Sequence, residues 1–138
     1  VPATMKHPLP DEANLRLLVE NIGDVLWFRE LPQLRFTYAS PAFERIWGRS
    51  VEDLRKKPSL WEDSIHPDDQ AAVRQALNQW LTGKKSEYNV HYRILGRQGQ
   101  IRWLADRGII LARKNGKPYQ VGGVARDITE RETADATQ

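Results

Sequence analysis

The side chains of this sequence with most chemistry to offer are three histidines, two adjacent aspartates and five tryptophans. Asp68 and Asp69 stand side by side at the start of a helical pattern, so their carboxylates diverge and cannot straddle a substrate as an acid–base pair. Opposing the positive end of a helix dipole is the use their position suggests. Ser64 and His66 are close together, yet no nucleophile elbow or third orienting group accompanies them. His7, His66 and His91 have no histidine partner at i+3 or i+4, and with no cysteine in the chain the spacing offers no metal site. The lack of cysteine also excludes a thiol nucleophile, iron–sulfur clusters and cysteinyl-flavin photochemistry. Gly122-Gly123 lies in a strand-like stretch, where glycine permits close packing, and not in a phosphate-binding loop. No catalytic constellation emerges. Among the tryptophans (27, 47, 61, 80 and 103), Trp47 and Trp80 fall on apolar helical stripes and read as core. Trp61, between short helices, is the better ligand candidate.

Any such site has to be held by a single domain, because 138 residues are too few for two well-packed ones. A hydrophobic share of 40% with 28% charged residues describes a folded, soluble chain. No apolar run approaches the roughly 18 residues of a membrane span, and the N-terminus has no signal-peptide pattern. A start at Val1 suggests a piece of a longer chain, and the absence of cysteine fits a reducing, cytoplasmic setting. The net charge of +3 is unevenly spread: residues 1–83 carry a net −2 and residues 84–131 a net +7. That basic half could attract nucleic acid or an anionic ligand. A plainer reading puts Lys84, Lys85, Lys114 and Lys117 in turns and several arginines on a half-exposed sheet, and this argues against a nucleic-acid partner.

The elements follow from periodicity. Residues 1–10, with three prolines, read as an irregular lead-in. Asp11 can cap a helix whose apolar stripe is Leu15, Leu18 and Ile22, with Gly23 to end it. Val25 to Phe28 is apolar on both faces and reads as a central strand, and Arg35 to Ala39 as a second. Ser40-Pro41 predicts a helix start, with Phe43, Ile46 and Trp47 on one side and a further turn over Ser50 to Leu54. The strongest helix runs over 67–82, its stripe formed by Val73, Ala76, Leu77, Trp80 and Leu81. From residue 86 the period becomes two. Strands are predicted over 86–95, 101–112 and 118–128, the last two joined by an Asn115-Gly116 type I′ turn. Thr129 to Glu132 fits a capping box with Thr129 as N-cap, so a helix leaves directly after the last strand. The order predicts an α+β domain: a five-stranded antiparallel sheet, helices on one face and flanking terminal helices. The expected division is a lead-in at 1–10, a domain at 11–129 and the start of a linker helix at 130–138.

That order, together with specific residues, resembles the PAS family of sensory domains. The matching motifs are Tyr38 to Phe43, Trp47-Gly48-Arg49-Ser50, Ile65-His66-Pro67-Asp68-Asp69, Tyr92-Arg93, Arg102-Trp103 and Gly122 to Arg131. The most telling is Asp127-Ile128-Thr129 between the last strand and an outgoing helix. The resemblance implies a sensory input module of a bacterial signalling protein, not itself an enzyme, linked to an effector. A histidine kinase is the first expectation for that effector, a diguanylate cyclase or phosphodiesterase the alternative. It also implies a cavity between helices and sheet that holds a small molecule or stands filled, as in a ligand-free dimerisation module, and a homodimer.

The resemblance assigns site residues as well. It places Asn89, His91, Arg93, Leu104 and Ala125 toward the cavity, with Trp61 beside its mouth, and Tyr88, Val90, Tyr92, Ile94 and Trp103 outward. Alternation alone points the other way, with the aromatic stripe as core. If inward, His91 and Arg93 would suit an anionic ligand, or bond internal backbone and carboxylates such as Asp106. His91, Leu104 and Ala125 stand where flavin-binding relatives carry amides, and the long helix lacks an interior histidine for haem, so the cofactor stays unknown, with haem and cysteinyl-flavin disfavoured. Asp127 and Thr129 form the junction expected to pass a signal into the outgoing helix, with Asp127 pairing to a nearby arginine.

Overall fold

The computed structural model describes residues 11–136; the lead-in expected over 1–10 lies outside the described residues. Helix α1 (Glu12–Glu20) starts at Asp11, whose carboxylate accepts the Asn14 N–H at 2.9 Å. Strands β1 (Val25–Glu30) and β2 (Arg35–Ala39) form a hairpin. Helices α2 (Ala42–Trp47), α3 (Val51–Lys56), α4 (Leu60–Asp63) and α5 (Pro67–Leu81) follow. A meander of β3 (Tyr88–Leu95), β4 (Ile101–Lys114) and β5 (Lys117–Asp127) leads into α6 (Thr129–Ala136). The five strands make one antiparallel sheet in the order β2-β1-β5-β4-β3. Asn115 and Gly116 both have positive φ, as a type I′ turn requires.

The layered packing rests on one side chain laid across the sheet. Trp27 on β1 faces Gly123 on β5, which in turn faces Gly108 on β4. A Cβ at Gly123 would sit 2.1 Å from the Arg107 carbonyl oxygen and 2.4 Å from the Trp27 ring, and one at Gly108 would meet the Trp80 and Trp27 rings. The two glycines are the groove in which the indole lies. Above it α4 brings Trp61 into a cluster with Trp27, Phe36, Phe43 and Trp47, at ring-centroid distances from 4.2 to 6.2 Å. Trp80 of α5 stacks on Tyr88 at 5.1 Å.

The free edge of β3 is covered by the segment that enters α5. Leu95 N–H donates to the Ser64 carbonyl and His66 N–H to the Arg93 carbonyl, each at 2.8 Å. His66 caps α5, its Nδ1 accepting the Asp68 N–H. Asp69 does more than face the helix dipole: it accepts the Arg93 N–H and both arms of the Arg93 guanidinium, all at 2.9 Å. The Ser40 hydroxyl, expected at a helix start, instead accepts the Leu26 N–H at 2.9 Å and ties the end of β2 to β1.

Gly123→Ala forces its methyl into backbone, so we expect a loss of about 3 kcal/mol or failure to fold, read by thermal denaturation. Exposed, positive-φ Gly83, with open space around it, leaves the core untouched and serves as the comparison site: Gly83→Asn should cost under about 1 kcal/mol.

Candidate functional site

At the centre of the sheet's inner face sits a charged residue. Asp106 on β4 stands between Val90 and Ala125 and is 1% exposed. Trp27 Nε1–H donates to its Oδ1 and the Tyr92 hydroxyl to its Oδ2, each at 2.8 Å. The Tyr92 oxygen in turn accepts Trp61 Nε1–H at 3.0 Å. A hydrogen-bonded chain therefore crosses the core from α4 through β3 and β4 to β1. Burial pushes the Asp106 carboxyl up to about 7, against the pull of the Tyr92 and Trp27 bonds and the Arg29 guanidinium; the Glu62 charge adds to the rise. Burial and the Asp106 charge likewise hold the Tyr88 and Tyr92 hydroxyls well above the ordinary tyrosine range.

Beside this carboxyl is a small cavity whose free volume of about 10 Å³ is roughly what one water-sized sphere needs. Trp27, Trp61, Tyr88 and Asp106 line it, with Val73 and Leu77 of α5 opposite. Arg29 on β1 and Glu62 on α4 pair at its outer side. The Arg29 guanidinium lies 4.1 Å over the Phe36 ring, and its Nε donates to the Leu34 carbonyl at 2.8 Å. Outside the pair a surface cleft of about 320 Å³ shares the walls Arg29, Leu34, Glu62, Val73 and Leu77 with the cavity. The ion pair is thus the partition between core and cleft.

The expected inward set is divided by the structure. Leu104, Ala125 and Trp61 are buried, whereas Asn89 and His91 are exposed and Arg93 is bound to Asp69. Tyr88, Tyr92 and Ile94, expected outward, are core residues. The correction follows from the pleat: directly opposed residues of antiparallel strands share a face, and Leu104 is paired with Tyr92 while His91 is paired with Ala105. Leu104 and His91 cannot both point inward. Trp103 is half-buried on the outer side, where the Arg93 guanidinium lies over its ring at 5.3 Å. Trp61 reaches the cavity wall as part of the aromatic core, not from the mouth. Arg93 and His91 do not meet Asp106, whose partners are Trp27 and Tyr92. Among the described residues no group of three or more metal-binding side chains comes together.

Asp127 and Thr129 do come together at the end of β5. Asp127 accepts the Thr129 N–H and one arm of Arg102, each at 2.9 Å. Burial raises its carboxyl, but the Thr129 and Arg102 bonds outweigh that and hold it below the usual carboxylate range. The Thr129 hydroxyl is not the helix cap expected: it accepts the Trp103 N–H at 2.8 Å and so docks α6 on β4. Ile128 N–H donates to the Trp103 carbonyl at 2.8 Å, completing the joint.

A five-stranded antiparallel sheet with helices packed on it is what comparison with known proteins finds elsewhere. Residues 36–125 match the family model described as PAS fold. The chain belongs to the PAS family. This PAS domain is 32% identical over 128 residues to the blue-light-activated histidine kinase of Brucella ovis, covering 93% of the chain and 24% of that kinase. Among solved structures it is similar to a sensory box histidine kinase/response regulator from Burkholderia thailandensis (31% identity, TM-score 0.70, 90% of this chain and 91% of that one). It also resembles the N-terminal domain of a diguanylate cyclase with PAS/PAC sensor from Marinobacter aquaeolei (25% identity, TM-score 0.64, 79% and 98%). The PAS domain is a sensory input module, and it spans a quarter or less of the curated relatives it matches. Among the described residues no helix is long and apolar enough to cross a membrane.

Sequence reasoning missed Arg29 and Glu62, which only the approach of α4 to the β1–β2 hairpin unites. It met Asp106 only as a partner for others. A signal was present: Leu104, Asp106 and Gly108 share one parity, so an inward Leu104 carries an inward carboxylate with it. The raised Asp106 pKa has a fixed consequence for stability. The folded carboxyl titrates near 7 and the unfolded one near 3.9, so protons favour the folded state between those values. Stability should fall by up to roughly 4 kcal/mol as pH rises from about 4 to about 8. Denaturant titrations at several pH values should show that slope, and Asp106→Asn should flatten it.

Proposed function

We propose that this PAS domain is the cytoplasmic input module of a larger signalling protein, most simply a histidine kinase. In this reading a small molecule acts at the Asp106 cavity, the domain works as a homodimer, and the response leaves through α6 along a linker beginning near residue 130. One observation carries the reading: β4 holds both ends of the route. Asp106 faces the cavity, and three and four residues earlier on the same strand Trp103 and Arg102 hold Asp127, Ile128 and Thr129. A shift of β4 caused by a change around Asp106 is therefore a shift of the α6 joint. The kinase parentage is supported by the Brucella and Burkholderia relatives, and the Marinobacter neighbour supports a diguanylate cyclase or phosphodiesterase as the alternative. The cysteine-free composition is in keeping with a cytoplasmic setting.

The dimer is supported by apolar surface. Helix α1 buries none of its residues, and Leu15, Leu17, Leu18 and Ile22 are exposed. On the outer sheet face Val124, Ile109 and Leu111 are exposed too, and Arg16 of α1 lies over the Tyr38 ring at 5.8 Å, which brings the helix to that face. A second copy would cover both. The small size of the cavity favours a second version of the same function, a dimerisation module whose core is filled by Trp27, Trp61 and Tyr92.

In the full-length protein, Asp127→Ala should leave the domain folded while the effector no longer responds; an effector regulated as in the wild type would refute the joint. Sedimentation of the domain should show a dimer that Ile109→Glu converts to monomer. A monomer at all accessible concentrations would refute the dimer.

A further inference from the structure

Counted as charges, the walls of the core cavity do not balance. Its acidic and basic residues are the carboxylates Asp106 and Glu62 and the single guanidinium of Arg29, and Arg29 is paired with Glu62. With Asp106 ionised the enclosure holds one uncompensated negative charge among Trp27, Trp61, Leu34, Val73, Leu77 and Val121. A buried carboxylate without a cation is costly, and two neutral donors from Trp27 and Tyr92 only partly offset it. The site therefore calls for one positive charge.

We propose that the cavity and its cleft form a binding site for a primary alkylammonium ion, with Asp106 as counter-charge to the ammonium head and the cleft as the channel for the alkyl tail. The inference rests on the reading of the core as the sensing element. An ammonium head is about the size of a water molecule, which is the space the cavity offers. Its three N–H donors would face acceptors on three elements that line the cavity: Asp106 on β4, Glu62 on α4 and the hydroxyl of Tyr88 on β3. The indoles of Trp27 and Trp61 line the cavity, and Arg29 over Phe36 already shows a cation held on a ring beside it. The tail would leave between Leu34, Val73 and Leu77, the apolar walls common to cavity and cleft, past the Arg29–Glu62 pair. A hard metal ion is a poorer fit, since it demands six or more oxygen ligands. A quaternary ammonium is too wide and has no N–H to offer.

The other groups facing Asp106 set the pH dependence. Tyr92 and Tyr88 on β3 stay protonated, Arg29 on β1 and Glu62 on α4 are paired with each other, and α5 and β5 contribute only apolar side chains. A proton and an ammonium thus compete for one carboxylate that titrates near 7.

Propylammonium chloride titrated into the domain, with tetramethylammonium and sodium chloride at matched ionic strength, is the test, followed through tryptophan emission. Propylammonium should give a saturable change with an apparent affinity about tenfold tighter at pH 8 than at pH 6, the ratio of ionised carboxyl. Neither control ion should do so, and Asp106→Asn should abolish it. No saturable change at either pH, an equal response to tetramethylammonium, or an undiminished response in folded Asp106→Asn overturns the proposal. So does emission that follows pH alone, which would make the proton the only cation of the site. These results bear on the ligand class by itself; the sensory route fails separately, if the Asp127 variant is still regulated.

Discussion

A carboxyl group held in the middle of the core constrains everything around it. Asp106 is tolerated there only because Trp27 and Tyr92 reach it, and each of those side chains brings further structure. Trp27 needs the grooves at Gly108 and Gly123, so three strands have to be in register for the indole to lie flat. Tyr92 needs its oxygen satisfied from the other side, and Trp61 does this from α4. One hydrogen-bonded chain thereby links the helical layer to both sides of the sheet. A hydrophobic residue at 106 would fill the space at less cost, so this carboxyl gives the core a single arrangement and a charge that can change.

The same strand ties that charge to the exit of the chain. Near Asp106, β4 helps to seat the start of α6: the Arg102 guanidinium lies on Asp127, the Trp103 N–H on Thr129 and the Trp103 carbonyl on Ile128. These groups are partly buried and the Arg102–Asp127 bond is charge-assisted, which stiffens the joint. The far side of the meander is anchored differently. There Asp69 clamps Arg93 at the head of α5, so β3 is held by the long helix while β4 and β5 share the joint. The sheet is thus held at its β3 edge by α5 and at the ends of β4 and β5 by the α6 joint.

Much of the scaffold was legible in the residues. The two-residue period after residue 86, the Asn115-Gly116 turn and the apolar stripe of 67–81 yield three strands and the long helix, because each pattern has a local cause. The glycines packed in β5 belong to the same class. The four-residue helix α4 was not foreseen as such, since so short an element has no period of its own and forms where Trp61 packs. Facing was the main error: the motif-guided assignment turned β3 inside out, while the alternation of Tyr88, Tyr92 and Ile94 already favoured the face the structure adopts.

By itself, the sequence determined the order and type of the elements, the family and the sensory role, because these rest on short-range patterns and on motifs contiguous in the chain. It also determined that Asp127 and Thr129 are neighbours. Tertiary structure alone decided which carboxylate is buried, what it is bonded to and which side chains wall the cavity beside it. Asp106 and Trp27 are 79 positions apart, and Arg29 and Glu62 are 33 apart. No local periodicity records such pairs: they arise when strand register and helix approach bring distant residues into one low-dielectric space, and it is that space which lifts the Asp106 pKa to about 7.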